Sequence, residues 1–487
     1  MWSACRFTTA RRCLRAPAIL SGAGGMDRGL FIDRGPLETR AALIEQSRIA
    51  EIHIESSEPG PGRPGEIRKG RVTHVSGELQ AATVDAGEGL SLFVRAADAR
   101  VLAADDAGAR KLPIAKLVRR GQDLLLQTGR EGLDGKQGRA SADIALHGRY
   151  LSIHPLREGL DFPKAVADHD LRETLGAALT DAGDAGRILV HPAASQVEID
   201  VVLAELRRLQ GEWADIRASA PKGPALMRPA PDLIEQAFVR LAGPSPEAVL
   251  TPDRGLLAEL RQRARALAPD LADRIELCEA SRSLELDDEI DAALAPEVAL
   301  PGGGRLTIET TRAMTTVDVD APGDPVKANL AAARELARQL RLRRIGGLVA
   351  VDFISLRGAP ERRKVEKALR LAFQRDPAQV EIGGIDRFSI LTLTRGRDAA
   401  ALLTQLCETA PARQHLRPEA ALARVLRRIE AELAGVGPVP VALMLSRDLE
   451  AVVEARLSGG LDRYLGRPVR LGYDALTVDE FRLSRER

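Results

Sequence analysis

Two apolar runs that end in acids bracket a basic stretch in the second half of the chain. They are Thr315-Thr316-Val317-Asp318-Val319-Asp320 and Gly346-Gly347-Leu348-Val349-Ala350-Val351-Asp352-Phe353, with Arg334 to Arg344 between them. Short runs rich in β-branched residues predict buried strands. Side chains alternate along a strand, so Asp318 and Asp320 point to the same face. If the two strands are neighbours in one sheet, Asp318, Asp320 and Asp352 converge. A hard divalent cation such as Mg2+ takes one or two carboxylates and completes its shell with water and phosphate oxygens. Such an ion can supply a nucleophilic hydroxide and neutralise charge at a phosphoryl centre. No histidine or cysteine lies nearby in the sequence, which argues against zinc.

The surroundings of these acids are basic. From residue 334 to 370, eleven Lys/Arg stand against four acids, a local excess that attracts a polyanion. The same residues admit a second interpretation. Acids at strand ends also cap helices or pair with arginines, and an Arg-rich helix is also a solvated face. Pattern alone leaves both open.

Bulk composition narrows the partners. A length of 487 residues predicts about three domains. The net charge is only +1, so nucleic-acid binding has to come from local patches rather than the whole molecule. Aromatic residues make up 3%, which excludes broad base-stacking platforms but not a single ring. Cys5, Cys13, Cys278 and Cys407 form no Cys-x-x-Cys pair, so neither a disulfide frame nor a zinc ribbon is indicated. A reducing, cytoplasmic location is expected. No stretch has the length of an apolar membrane span, so no membrane partner is expected. Residues 1–25 hold Arg6, Arg11, Arg12 and Arg15 and no acid. That resembles a transit peptide, but the favoured reading is a start assigned too early, with Met26 opening the first strand-like segment.

Along the chain, residues 30–32, 40–44 and 48–54 read as strands. The Pro/Gly-rich break Glu58–Gly65 marks a domain entry. Residues 65–145 hold short strands separated by glycine turns, with Gly70 where a small barrel must bend. They predict a closed five-stranded barrel of OB type. Residues 150–300 read as α/β with helices near 199–209 and 253–267. From 305 the order is strand (305–309), strand (314–319), helix (326–343), strand (347–354), helix (361–374), and strands near 378–383 and 388–394, a layered α/β unit. A helical piece to about Gly435 precedes a small unit of strand 439–444, helix 448–464 and strand 468–472.

Several of these segments resemble one family. The strongest is Asn329-Leu-Ala-Ala-Ala-Arg-Glu-Leu-Ala-Arg-Gln-Leu-Arg-Leu-Arg-Arg-Ile-Gly-Gly-Leu-Val-Ala-Val-Asp352-Phe-Ile. Others are Lys69-Gly-Arg-Val-Thr with Leu79-Gln-Ala-Ala-Thr-Val-Asp85, Leu30-Phe-Ile-Asp, and Glu38-Thr-Arg-Ala-Ala-Leu. From about residue 28 onward the chain resembles the ribonuclease E/G family of bacterial endoribonucleases, in a diverged short form. The resemblance implies an α/β multidomain fold. An S1-type OB barrel (64–142) would be inserted in an RNase H-like domain (26–63 and 222–299), with a diverged 5′-sensor region at 143–221. A DNase I-like catalytic domain (300–397), a degenerate link (398–436) and a small α/β domain (437–487) would follow. It also implies Mg2+ held by Asp318 and Asp352, with Asp320 at a position where the family has asparagine. The ion would activate water to hydrolyse single-stranded RNA in rRNA maturation or mRNA turnover, leaving a 5′-phosphate on the downstream fragment. Phe93 and Lys136 would grip the RNA with Lys69 and Arg71 beside them. Arg341, Arg343 and Arg387 would contact phosphates or brace the site.

Departures from the family are informative. His191-Pro192 replaces the Arg-Thr pair of the 5′-monophosphate sensor; proline has lost the hydroxyl and the N–H, and histidine is only partly charged near neutrality. Cys407-Glu-Thr-Ala replaces the Cys-x-x-Cys of a zinc link, so zinc is not expected and a homodimer would have to use other surfaces. Thr83 replaces an aromatic of the barrel. Two other readings remain: an RNA-binding protein of the same fold with little or no cleavage, and a DNA nuclease.

Overall fold

The computed structural model describes residues 26–103, 112–130, 137–219, 221–243, 246–311, 313–397, 399–409, 414–457 and 460–485. The chain divides into two compact units. One includes Phe31–Ser57 and Leu277–Arg487; the other is Arg28–Leu30 with Glu58–Glu276.

Strands β1 (Arg28–Arg34), β2 (Glu38–Glu45) and β3 (Arg48–Ser56) run side by side in that order, β1 belonging to the first unit from Phe31 onward. β2 and β3 are antiparallel and joined by Gln46 and Ser47, both at positive φ. Two left-handed residues give the turn whose twist matches that of the strands it joins.

The second unit holds the expected barrel. β4 (Ile67–Ser76), β5 (Ala81–Asp85), β6 (Ser91–Arg95), β7 (Asp123–Arg130) and β8 (Gly138–Ser141) run in the order β4-β5-β6-β8-β7, and β4 pairs with β7 to close the ring. This is consistent with an OB-like fold. Val72, Val84, Leu92, Val94, Leu124 and Leu126 fill it. A Cβ on Gly70 would lie 2.5 Å from Val84 Cγ1, so only glycine lets β4 cross the core there. β9 (Leu146–His147), β10 (Leu151–His154), β11 (Leu160–Asp161) and β12 (Arg187–Val190) form a second sheet, ordered β11-β12-β10-β9. It packs with the helices His169–Asp181 and Ile199–Ala218 around Leu175, Leu179, Val202 and Leu206. β13 (Ala225–Arg228) adds to β4, an element not expected because Ala-Leu-Met-Arg carries no β-branched residue. β14 (Ala248–Thr251) and β15 (Ile275–Leu277) lie side by side.

Back in the first unit, β16 (Glu297–Leu300), β17 (Gly304–Thr310), β18 (Thr315–Asp320), β19 (Gly347–Asp352), β20 (Val380–Ile385) and β21 (Ile390–Arg395) form a six-stranded sheet, ordered β16-β17-β18-β19-β21-β20. Only β18 and β19 are parallel within it. A parallel step needs a crossover, and the Pro325–Leu342 helix supplies it. Asp324 caps that helix by accepting from the Val326 and Lys327 N–H groups, and Pro325 sits where no N–H is needed. One face of the sheet is apolar. Leu306, Val317, Val319, Val349, Val351, Leu391 and Leu393 meet Leu336 and Leu340 of the crossover helix and Val365 and Leu369 of the Ala359–Ala372 helix.

Two arginines of the basic crossover helix, expected to contact phosphates or brace the site, are turned inward. Arg341 is 8% exposed and Arg343 6%. Arg341 donates to Glu51 at 2.5 Å and to Glu45 at 2.7 Å, both on the β2–β3 hairpin. Arg343 donates to Gln339 at 2.7 Å; burial pulls its guanidinium down to about 10. Arg338 bonds the Ile49 carbonyl and both Glu289 and Glu335. Arg341 and Arg338 therefore dock the helix onto β2–β3, while Arg343 is buried against Gln339 of its own helix, and neither Arg341 nor Arg343 faces a polyanion. Burial alone would raise the Glu51 carboxyl, but a hydrogen bond from His53 and the Arg341 cation hold it at about 2.

A second buried ion network lies beside the first. Arg40 on β2 binds Asp33 on β1 and Asp287 on the Ser281–Leu294 helix. Arg427 on the Pro418–Leu433 helix binds the same Asp287 at 2.7 Å and Glu38 at 2.9 Å. β22 (Cys407–Thr409) and β23 (Gln414–Leu416) pair, and β24 (Val441–Ser446), β25 (Val469–Asp474) and β26 (Phe481–Arg485) form a sheet ordered β25-β24-β26. The single helix expected over 448–464 is two short ones, Glu450–Arg456 and Leu461–Leu465, the second entered through Gly460 at φ 81°. Substituting Arg427→Met should lower unfolding free energy by about 3–5 kcal/mol, because Asp287 and Glu38 lose a buried counter-charge. Urea unfolding measures this, with exposed Arg363→Met expected to stay within about 0.5 kcal/mol of the wild type.

Candidate active site

The open face of the six-stranded sheet carries the acids. In the parallel pairing, Asp318 and Asp352 are direct register partners, and both are exposed. Neighbouring strands lie about 4.8 Å apart, so the two carboxylates emerge side by side. Thr307 of β17 flanks Asp318, and Ile390 of β21 flanks Asp352. Neither Asp318 nor Asp352 has an ion-pair partner among the described residues. Asp320 lies one pleat further along the same face. Its carboxylate meets Arg305 at 3.1 Å, across the β17–β18 ladder. Among the described residues no group of three or more His, Cys, Asp or Glu is placed to hold a metal ion. The chain thus offers two oxygen donors on an open surface and a third acid already met by a cation. This fits a hard ion that takes two carboxylates and fills its remaining positions with water and substrate oxygens.

The exit of β19 is pinned from below. Buried Asn329 of the crossover helix donates to the Ile354 carbonyl at 2.7 Å and accepts from the Ile354 N–H at 3.1 Å. An amide that satisfies both backbone groups of one residue holds Asp352 in register. Sequence patterning missed it, since one asparagine on a helix carries no periodic signal. Arg387 lies in the turn between β20 and β21, exposed, with its guanidinium 4.6 Å from the centre of the Phe388 ring.

The barrel presents a separate surface. Phe93 on β6 is half-buried between Thr83 on β5 and Arg139 on β8. Lys69 and Arg71 share one carboxylate, Asp123, at 3.2 and 2.7 Å; the Arg71 hydrogen bond and then that of Lys69 hold Asp123 well below the usual carboxylate range. Asp85, the register partner of Arg71, adds a second acid beside the two cations. Lys136 lies outside the described residues.

His191 follows β12, and Pro192 opens a short 3-10 turn. The His191 ring meets Ser152 Oγ at 2.9 Å and the Arg149 carbonyl at 3.3 Å, and Ser152 Oγ also meets His147 at 2.8 Å. Burial lowers the pKa of His191; at His147, part of whose surface is exposed, desolvation of the ring and then the Arg240 cation lower it too. Both rings are neutral near pH 7 and supply no cation for a phosphate. The loop before β10 is fastened by Glu205, whose carboxylate accepts from the N–H groups of Arg149, Tyr150 and Leu151. A Cβ on Gly148 would lie 2.3 Å from that carboxyl carbon. Cys407 is buried, and burial raises its thiol pKa.

His147 has a folded pKa near 3 against an ordinary value of 6.5. Its unfolded form binds the extra proton, so its contribution is complete above pH 6.5 and lost as pH falls toward 3. Because the His147 residue also carries solvent-exposed surface, screening trims this effect. Between pH 6.5 and 4.5 the unfolding free energy of the wild type should fall more steeply than that of His147→Gln, by well under the roughly 1.4 kcal/mol per pH unit of a fully buried group. Urea titrations at stepped pH measure the two slopes.

The chain is similar to known proteins over most of its length. The model of the Ribonuclease E/G family matches residues 145–398. Ribonuclease G of Salmonella typhimurium (strain SL1344) is 29% identical over 407 residues, covering 79% of this chain and 83% of that protein. Ribonuclease G of Haemophilus influenzae is 27% identical over 403 residues. Ribonuclease E of Escherichia coli (strain K12) is 30% identical over 462 residues, covering 86% of this chain and 42% of that protein. With the matched region running from the sheet that carries His191 to the end of the acid-bearing sheet, this chain belongs to the Ribonuclease E/G family.

Proposed function

We propose that this chain is a Mg2+-dependent endoribonuclease that hydrolyses single-stranded RNA. The observation that carries this reading is the register of Asp318 with Asp352 on an open sheet face. Both carboxylates would hold the ion. When bound, the ion lowers the pKa of a coordinated water and offsets charge on the phosphate under attack. Asp318 and Asp352 also fix where that phosphate can sit, because the buried valines beside them lock their directions. Asp320, anchored by Arg305, orients water from the next pleat without adding a free negative charge. Exposed Arg387 meets the phosphates beside the scissile bond. On the barrel, Phe93 offers a ring for a base, with Lys69 and Arg71 on β4 supplying charge; Lys136, outside the described residues, is proposed as a further RNA contact on the resemblance alone. Hydrolysis by water leaves a 5′-phosphate on the downstream fragment. Cytoplasmic rRNA maturation or mRNA turnover is the setting that suits such chemistry. No helix among the described residues is long and apolar enough to cross a membrane.

A second reading has its own support. The neutral His191 and the aromatic-free position Thr83 suit an RNA-binding protein of this fold that cuts little or nothing. A fluorescent single-stranded oligoribonucleotide with Mg2+ separates the two. Cleavage should fall roughly 10²–10³-fold or more in Asp318→Asn and in Asp352→Asn, the scale of losing one charge-stabilising group. A wild type that does not cut, or variants that cut at the wild-type rate, would overturn the hydrolytic reading.

The same geometry bears on 5′ ends. With two neutral imidazoles and a proline where a cation and a hydroxyl are needed, the chain should cleave 5′-phosphate and 5′-hydroxyl versions of one RNA at similar rates. A tenfold preference for the phosphate, equivalent to about 1.4 kcal/mol, would refute this.

A further inference from the structure

The turn between β20 and β21 exposes more apolar surface than a hairpin tip needs. Phe388 is 63% exposed and Ile390 38%. The turn is nonetheless tightly built. Asp386 Oδ1 accepts from the N–H groups of both Phe388 and Ile390, at 2.8 and 2.9 Å. Arg362 of the Ala359–Ala372 helix donates to the Asp386 carbonyl at 3.1 Å, and the Phe353 N–H donates to the Ser389 carbonyl. Ser389 adopts a positive φ of 67° to complete the bend. An exposed ring on a turn held by this many bonds is presented at a fixed place.

That place is next to the acids. β21 runs antiparallel to β19, so its first residue, Ile390, is the register partner of Asp352. Across the sheet at this level stand Thr307, Asp318, Asp352 and Ile390, and the 386–389 turn follows at once. The Arg387 guanidinium lies over the Phe388 ring, which suits a cation–π pair and leaves the ring's other face for a second planar group. A flat apolar ring beside a cation and a pair of carboxylates matches one ligand chemistry well: a nucleotide, with its base on the ring and its phosphates toward the cation and the acids.

We propose that Phe388, braced by Arg387 and flanked by Ile390, stacks on a base of single-stranded RNA and seats that nucleotide beside the Asp318–Asp352 pair. A base inside a duplex has no free face, so this contact selects for unpaired RNA at the site. The proposal deepens the hydrolytic reading and rests on it for the position of the scissile bond, but the stacking contact is measurable without cleavage.

The experiment uses the full chain in EDTA and fluorescence anisotropy with a short single-stranded oligoribonucleotide. Phe388→Ala should weaken binding roughly 5- to 150-fold, the range for losing one stacked base. Phe388→Trp should bind like the wild type. When one abasic nucleotide is walked along the oligonucleotide, one position should weaken wild-type binding to a similar degree and add little in Phe388→Ala. Wild-type affinity in Phe388→Ala, or an abasic penalty that persists in full in that variant, would overturn the proposal. RNA bound through Phe388 but never cut in Mg2+ would count against the hydrolytic reading alone.

Discussion

Everything at the acid-bearing sheet depends on pleat parity. Val317 and Val319 face the helices, so Asp318 and Asp320 must face away; Val349 and Val351 set Asp352 in the same manner. A slip of one residue between β18 and β19 would push a carboxylate into the apolar layer and expose a valine. The hydrophobic core therefore enforces the position of the hydrophilic site. Asn329 adds a local lock at the end of β19, where the strand's own hydrogen bonds run out.

The charges of the first unit are divided by a similar logic. Arg40, Arg338, Arg341 and Arg427 each meet carboxylates inside the unit. Such pairs contribute little net stability against an apolar alternative, yet breaking one strands a charge. Their value is in specifying how helices sit on strands. With Arg341 and Arg343 turned inward, the cations left on the outside are fewer than the composition of residues 334–370 suggests.

Much of this was legible in the sequence. The barrel, the layered sheet and the β18–helix–β19 sequence follow from period-two runs, glycine breaks and one amphipathic helix. Asp318 and Asp352 were legible because acids on β-branched strands violate the local pattern. The arginines misled, because an Arg-rich helix has the same spelling whether its partners are solvent, phosphate or glutamates nearly 300 residues earlier. Arg341 binds Glu45 and Glu51, and nothing near Arg341 in the chain announces them. The His147–Ser152–His191 chain was missed for the same reason: its members share a strand pairing, not a motif. β13 was missed because pairing with β4, not its own propensity, makes it a strand.

The parallel pairing of β18 with β19 also governs when the site comes into being. Asp318 and Asp352 are joined only through the crossover helix, so neither strand can present the pair until that helix has folded back over the sheet. During synthesis the first acid is made well before the second. A chain stalled or cleaved within the crossover carries one carboxylate on an unpaired strand edge. Any activity that needs both carboxylates therefore requires β19 to be docked on β18.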